Sequence, residues 1–543
     1  MVDEEIYRRL PALLIATEDK FAQMPWKGAT ATLFGRVTGI CPRHGYRSPE
    51  IEDSDSHPKK TPFPAVKTQA AEPLRPPDLI IQDELHLISG PLGTLVGLYE
   101  TAVDELAAWQ LDGQRVRPKV IASTATIRRA QVQVNSLFLR QVQVFPPAGL
   151  DADDTFFARR QPTGETAPGR LYLGVCAPGT RLKTLLIRVY LAYMAGAQAL
   201  FNDYGKAADP WMTLVGYFNS MRELGGVRRV VDDAVRSRLR QMDQRGLARR
   251  SINPWGVDEL TSRKSAADIP RLLSRLEAQF EPVPDAGGKK PRADIARQPL
   301  DVVLATNMIS VGVDVNRLGL MVVASQPKAT AEYIQATSRV GRGVPGIVCT
   351  VYNWARPRDL SHYERFEHYH ATFYQHVEAL SVTPFSPRAL DRGLTGVLAS
   401  CIRLQGEDFN ANERAGQVTA QHPFVTSALA RISRRAGLVE ASTAAEELVQ
   451  AMTRQRLDAW LARRAAITGG AILGYEGKTD GRTLGLLSKP AQGVWEPFTC
   501  LNSLRDVEPS VKLILRDYGM DREAAEPAAS APATAPTPEA QQP

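Results

Sequence analysis

Residues Asp78–Gly90 read DLIIQDELHLISG, an apolar run that stops at two carboxylates and a histidine. In an open α/β sheet, side chains at the carboxyl ends of buried strands face the ligand crevice. Asp83 and Glu84 at such a place can hold a water-coordinated Mg2+ and orient an attacking water. Phosphoryl transfer asks for that positioning and charge neutralisation. Two acids on their own can equally open an ordinary loop, because short motifs recur by chance. The sequence around them decides.

Five further apolar runs end at small, hydroxyl or amide residues: PKVIASTAT (Pro118–Thr126), TLVGYFNS (Thr213–Ser220), DVVLATN (Asp301–Asn307), LGLMVVAS (Leu318–Ser325) and GIVCTVYN (Gly346–Asn353). Parallel strands buried on both faces read as continuous runs of this kind. Helical patterns such as GTLVGLYETAVDELAAWQL (Gly93–Leu111) lie between them. Alternating strand and helix predicts α/β domains with parallel sheets. The Pro-rich break VFPPAGLDADD (Val144–Asp154) divides a first domain, 1–150, from a second, 151–358. A charged, helix-rich insertion is expected at about 226–297. A mostly helical region follows at 359–520, and an Ala/Pro-rich tail, 521–543, is expected to be disordered.

A length of 543 residues suits about three to four domains. The 43% hydrophobic and 23% charged content is that of a globular protein. A net charge of +7 suits a polyanionic partner, although most of the charges are solvated surface. Five scattered cysteines make no disulfide framework, so a reducing cytoplasm is expected. The start, MVDEEIYRRLPALLIATEDK, lacks a secretory apolar core. The stretch TLLIRVYLAYMAGAQALF (Thr184–Phe201) is broken by Arg188 and Gln198, and is expected to be a buried helix rather than a membrane span.

Three more signals join the acids. In IASTATI the hydroxyls of Ser123, Thr124 and Thr126 end a strand, where they can link a nucleotide site to a bound strand. In DVVLATNMISVGVDV, Thr306 and Asn307 close a strand. Gly312 then allows close backbone approach, and Asp314 can accept a ribose hydroxyl. In YIQATSRVGRG, Gln335, Arg339 and Arg342 fall in one short segment. Two arginines three apart share a helical face and can reach a γ-phosphate held by another domain. Alone, the segment would be an ordinary basic helix face.

Order and spacing together resemble superfamily 2 helicases of the DExH type. Asp83-Glu84-Leu85-His86 looks like motif II and Thr124-Ala125-Thr126 like motif III. Tyr217–Ser220 resembles motif IV and Ala305–Asp314 motif V. Gln335–Arg342 fits the QxxxRxGR frame of motif VI, with Ala336 and Ser338 departing from the usual residues. LLIATEDKF, near the start, is similar to motif Ib. The resemblance implies ATP between two RecA-like domains, with nucleic acid crossing both. Asp83 would serve Mg2+, Glu84 the attacking water, and His86 would complete motif II. Arg339 and Arg342 would serve the γ-phosphate, while Gln335, Gly312, Asp314, Thr124 and Thr126 line the nucleotide. Thr17, Asn219, Ser220 and Thr306 would contact the nucleic-acid strand.

Such enzymes cradle phosphates on a G-x-x-x-x-G-K-[ST] loop upstream of motif Ib. Motif Ib begins here at about Leu13. The sole Gly-Lys-Thr, Gly477–Thr479, follows motif VI and has Ile472 where the first glycine belongs, so a surface turn is expected there. The first RecA-like domain is therefore expected to be incomplete, through a late start, a split between two chains, or loss of hydrolysis. The chain alone is not expected to hydrolyse ATP efficiently.

YNWARPRDLSHYERFEHYHATFYQHVEALSVTPFSPRALDRGL, DELHLISGPLG, YFNSMRELGG and FTCLNSLRDVEPSVKLIL together resemble the helicase subunit of the DISARM antiphage defence system and its relatives. That implies an ATP-driven motor on double-stranded or partly single-stranded DNA, working with a second subunit. A non-hydrolytic DNA-binding scaffold is the alternative. Two histidine-bearing stretches stand apart. Cys41, His44 and His57 offer three donors but no second cysteine pair, so a solvated loop rather than a zinc site is expected. His362, His368, His370 and His376 would point in different directions on a helix. Their aromatic neighbours could line a nucleic-acid channel or simply pack.

Overall fold

The computed structural model describes residues 3–504 except 125–129, 148, 152–153, 160, 166, 168, 266, 282–296, 311–313, 480 and 491–494. The 521–543 tail lies outside these residues. At the centre is a six-stranded parallel sheet. Its spatial order is Arg170–Cys176, Gly346–Tyr352, Leu320–Ala324, Leu214–Phe218, Val302–Ala305, Val257–Leu260. The three strands Leu214–Phe218, Val302–Ala305 and Leu320–Ala324 are buried at every position.

Alternation along each strand splits these residues between two cores. Leu304, Val322 and Val351 pack on one face beneath the helix Leu182–Tyr204, which holds the apolar stretch Thr184–Phe201. Val303, Val323 and Val348 pack on the other, against Leu272 and Leu276 of the helix Asp268–Glu277 and Tyr333 of the helix Thr330–Thr337. The 226–297 stretch, read from sequence as an insertion, also supplies the edge strand Val257–Leu260.

The opening apolar run behaves differently. Leu79–Gln82 pairs in parallel only with Lys119–Ala122 among the described residues, and its side chains alternate between exposed and half-buried. The expectation of a strand buried on both faces is corrected here: Leu79, Ile81 and Ile121 are exposed. A two-stranded sheet offers each residue too few neighbours to bury both faces.

The helix Gly90–Leu106 that follows is buried on nearly every side, and it belongs to a third core. That core joins residues near the start to the last described helices, Pro387–Arg403, Pro423–Glu440 and Thr443–Ala465. Gly97 lies against Pro384, and Gly396 against the Tyr99 hydroxyl. Trp26 Nε1 donates to the Leu501 carbonyl at 2.9 Å. The fully buried Arg403 guanidinium donates to the carbonyls of Pro25 at 2.9 Å and Trp26 at 2.8 Å. The first region and the helical region are thus one body. The architecture is α/β with a mostly helical C-terminal region.

Candidate nucleotide and nucleic-acid site

Asp83 and Glu84 follow directly on the strand Leu79–Gln82. Glu84 takes a left-handed conformation, φ 52° and ψ 46°, uncommon for a residue with a Cβ. Asp83 Oδ1 accepts the Glu84 N–H at 2.9 Å and also the Ser123 hydroxyl. The backbone repeats the link, since Leu85 N–H donates to the Ser123 carbonyl and Ser123 N–H to the Gln82 carbonyl, both at 2.9 Å. The turn Leu85–Leu87 is held from beneath by Gln133, whose buried carboxamide donates to the Ile88 carbonyl at 2.9 Å. Strained backbone of this sort persists only where neighbours over-determine it.

His86 ties the site together. Its Nδ1 lies 3.2 Å from Thr124 Oγ1 and 3.3 Å from Glu84 Oε2. It also shares a side-chain hydrogen bond with Gln335. Burial holds the imidazole below its ordinary pKa, although Glu84, Gln335 and Asp83 pull the other way. A neutral ring is therefore favoured, able to donate from one nitrogen and accept at the other. Motif II is thereby joined to motif VI across the gap between the two sheets.

The helix Thr330–Thr337 carries Gln335, buried, on its last turn. Arg339 and Arg342 lie beyond that helix, which corrects the expectation that they share a helical face. A turn brings them together instead. Gly341, at φ 71°, permits it, because a Cβ there would meet the Gly346 Cα at 2.7 Å. Arg342 ion-pairs with Asp314 and its Nε donates to the Ser338 carbonyl at 3.4 Å. Burial, with help from Arg342, lowers the Arg339 guanidinium, while Glu84 and Asp314 act against that shift. Glu84 and Arg339 therefore face one another from opposite domains, while Arg342 is held by Asp314 of its own. Asp314 engages Arg342 and presents the other side of an exposed carboxylate to solvent.

The residues expected to touch nucleic acid are placed less uniformly. Thr17 is exposed at the head of the turn Glu18–Gln23, and Glu18 Oε1 accepts Gln82 Nε2 at 2.7 Å, so this segment borders motif II. Asn219 reaches the carbonyls of Ala324 and Gln326 at 3.4 and 3.3 Å, clamping two strand ends. Ser220 caps the helix Met221–Val230 by accepting the Glu223 N–H at 3.3 Å. Thr306 is buried at the end of its strand. Gly312 and Thr126 lie outside the described residues. Ser123, read from sequence as a strand-end hydroxyl, braces Asp83, whereas Gln133, which also braces motif II, carries no pattern that marks it as Asp83 and His86 are marked.

Two other expectations are settled by packing. Lys478 is bound to Glu413 at 2.5 Å on a surface turn, away from motif II. His370 Nε2 lies 2.9 Å from the Tyr333 hydroxyl and its Nδ1 2.8 Å from the Phe366 carbonyl, with its ring against Tyr172 and Phe366. This histidine is a packing residue.

Residues 290–344, which span motifs V and VI, match the helicase conserved C-terminal domain. Over 415 residues the chain is 46% identical to the DISARM protein DrmA of Bacillus paralicheniformis, covering 76% of this chain and 35% of that protein. The chain is thus similar to DrmA and carries a stretch that matches the helicase conserved C-terminal domain. It spans about a third of its relative's length. Among solved structures, the DUF1998 helicase MrfA bound to DNA is similar at 14% identity, with TM-score 0.40, covering 60% of this chain and 37% of that one. The Mycobacterium smegmatis helicase Lhr bound to ssDNA and AMP-PNP is similar at 15% identity, with TM-score 0.36, covering 59% and 34%. The stretch that resembles motifs II to VI, Asp83 to Arg342, is the one whose geometry has just been described.

Proposed function

We propose that this chain forms the motif II to motif VI part of an ATP-dependent superfamily 2 DNA translocase or helicase in antiphage defence. ATP would bind between the Asp83–Glu84 surface and the Arg339–Arg342 surface, complemented by a segment bearing a phosphate loop. The observation that carries this reading is the link from His86 to Gln335, with Arg339 in electrostatic reach of Glu84. Residues distant in sequence supply a carboxylate side and a cationic side to one cleft, which an ATP site between domains requires.

The donor set fits a hard cation: Asp83 is exposed, with its Oδ1 anchored and its other oxygen available to a cation's water shell. Mg2+ held there through water would neutralise phosphate charge. Glu84 would orient water and accept its proton. Arg339 and Arg342 supply positive charge where charge builds on the transferred group. His86 and Gln335 would report that cleft's closure to Thr124, and so to a strand lying across both domains. A second defence-system subunit or a chain carrying motif I, cytoplasmic location and DNA as the polyanion belong to the same proposal.

The test is DNA-stimulated ATPase of the assembled enzyme with and without Arg342→Ala. A loss of about 10³-fold or more is expected, the range of an arginine finger. Unchanged turnover would remove Arg342 from the mechanism. ATPase of this chain alone should stay at background. DNA affinity indifferent to nucleotide, yet steeply weakened by salt, would favour a non-hydrolytic scaffold instead.

A further inference from the structure

Away from the cleft, a small ribbon of three antiparallel strands, Gly39–Cys41, Gly45–Arg47 and Gln69–Ala70, leans on the first helix, Asp3–Arg9. Cys41 ends the first strand, and the turn Pro42-Arg43-His44 leads into the second. Gly45 sits at φ 96°, and a Cβ there would approach the Arg8 carbonyl oxygen to 2.2 Å, so glycine alone closes the turn against the helix. The turn sets His44 Nδ1 3.9 Å from Cys41 Sγ. The chain then loops out and returns through the two-residue strand Ser56–His57. On that return Asp53 meets His44 Nδ1 at 3.0 Å and His57 Nε2 at 3.3 Å.

One thiol, two imidazoles and one carboxylate therefore converge, their donor atoms all within 4.8 Å of one another. Four ligands at about 2.0–2.3 Å around a tetrahedral zinc stand roughly 3.3–3.8 Å apart. Through Asp53 Oδ1 the separations to His44 Nδ1 and His57 Nε2 are 3.1 and 3.3 Å, and with the 3.9 Å from His44 Nδ1 to Cys41 Sγ they straddle that spacing. Cys41 is buried, and the side chains of Asp53 and His57 are 9% and 11% exposed. His57 Nε2 is buried with no hydrogen bond, although Asp53 Oδ1 is near. A purely hydrogen-bonded Asp–His pair accounts for His44 but leaves the His57 nitrogen without a hydrogen bond. The ribbon's own means of support are meagre. Its strands are two or three residues long, and between residues 36 and 78 the buried apolar side chains are only Val37, Cys41, Ile51 and Pro76. Units of that size are held by cross-links rather than by a core.

We propose that Cys41, His44, Asp53 and His57 form a closed tetrahedral zinc site that fixes the ribbon in place. Thiolate with imidazole selects zinc over Mg2+ or Ca2+, and four protein ligands leave no open position, so the role is structural. Binding displaces the Cys41 proton. The loop enclosed by the ligands carries Glu50, which accepts the Asn412 N–H at 2.7 Å and meets the Arg403 guanidinium at 3.2 Å. The metal thus holds the loop through which the ribbon grips the C-terminal helices.

Elemental analysis of the full chain, purified without chelator, should give about one zinc per chain, as one closed site demands. After stripping, Co2+ alone should produce the intense ligand-field absorption of a tetrahedral site and a thiolate-to-cobalt charge-transfer band. Cys41→Ser should abolish the charge-transfer band, whereas Cys176→Ser, at a thiol outside the ribbon, should leave it intact. Should Cys41→Ser not fold, His44→Cys decides: a second thiolate should roughly double the band. Folded wild-type chain with negligible zinc and no cobalt band overturns the proposal. So does a band that survives Cys41→Ser, or one that His44→Cys leaves unchanged.

Discussion

Two parallel sheets in this chain are written in nearly the same residues and end in different surroundings. Val302–Ala305 and Leu320–Ala324 lie inside a six-stranded sheet with a core on each face. Leu79–Gln82, no less apolar, lies in a pair and exposes Leu79 and Ile81. Strand neighbours, not strand composition, decide burial. The central sheet domain supplies its own packing on both sides, while the first region takes its packing from helices near the other end of the chain.

The contrast breaks hardest at Arg403. Its buried guanidinium holds the carbonyls of Pro25, Trp26 and Asn410, and it pairs with Glu50. Arg403→Ala should cost about 3–5 kcal/mol, as loss of one partner from a buried ion pair does. Calorimetry should show the joined first-and-last body melting earlier while the sheet domain holds. A single transition that falls as one would dissolve the distinction. The reciprocal variant is Leu304→Ala, which should cost the sheet domain about 2–5 kcal/mol, whereas Ile81→Ala, at an exposed site, should stay within about 0.5 kcal/mol. Equal costs by denaturant titration would mean that the Leu79 strand is covered in solution.

Glu100 sharpens the comparison by pH. Burial, with Asp104 adding, pushes its carboxyl from 4.5 up to about 7, while Arg435 and Arg140 oppose. A raised carboxyl keeps its proton in the fold where the unfolded chain would release it. Its contribution is complete below about 4.5 and fades as pH rises towards 7. The joined body should lose about 2–3 kcal/mol across that window, and Glu100→Gln should flatten the loss. An unchanged slope in the variant would place the titration elsewhere. A smaller loss than Glu100's is expected at the Ser220 cap, where Ser220→Ala should cost the sheet domain about 1 kcal/mol by the same titration.

The sequence made much of this legible, for physical reasons. Six apolar runs were strong enough to name six strands. Arg170–Cys176 and Val257–Leu260 escaped because edge strands have one free side and tolerate charge, as in Val-Asp-Glu-Leu. Asp83, His86, Gln335 and Arg339 were visible because the order of motifs survives in a linear text. Their meeting through one hydrogen bond was not, nor was the end of the helix at Thr337 before the arginines. Asn219 and Ser220 matched a motif, and their contacts with the strand ends and a helix cap were not legible, since amides and hydroxyls suit many tasks. The zinc cluster stayed hidden because the fourth donor is Asp53, and an aspartate in a charged loop looks like solvated surface.

The shared core also sets an order of assembly. Trp26 finds its hydrogen-bond acceptor at Leu501, and the helix Gly90–Leu106 finds its cover at Pro387–Arg403. During synthesis the sheet domain can close once its last strand, Gly346–Tyr352, and Tyr369 of its second core have left the ribosome. The first region, made earlier, must wait with its apolar helix uncovered until the last helices emerge. The region made before the sheet domain is therefore finished after it, with its apolar helix exposed in the interval.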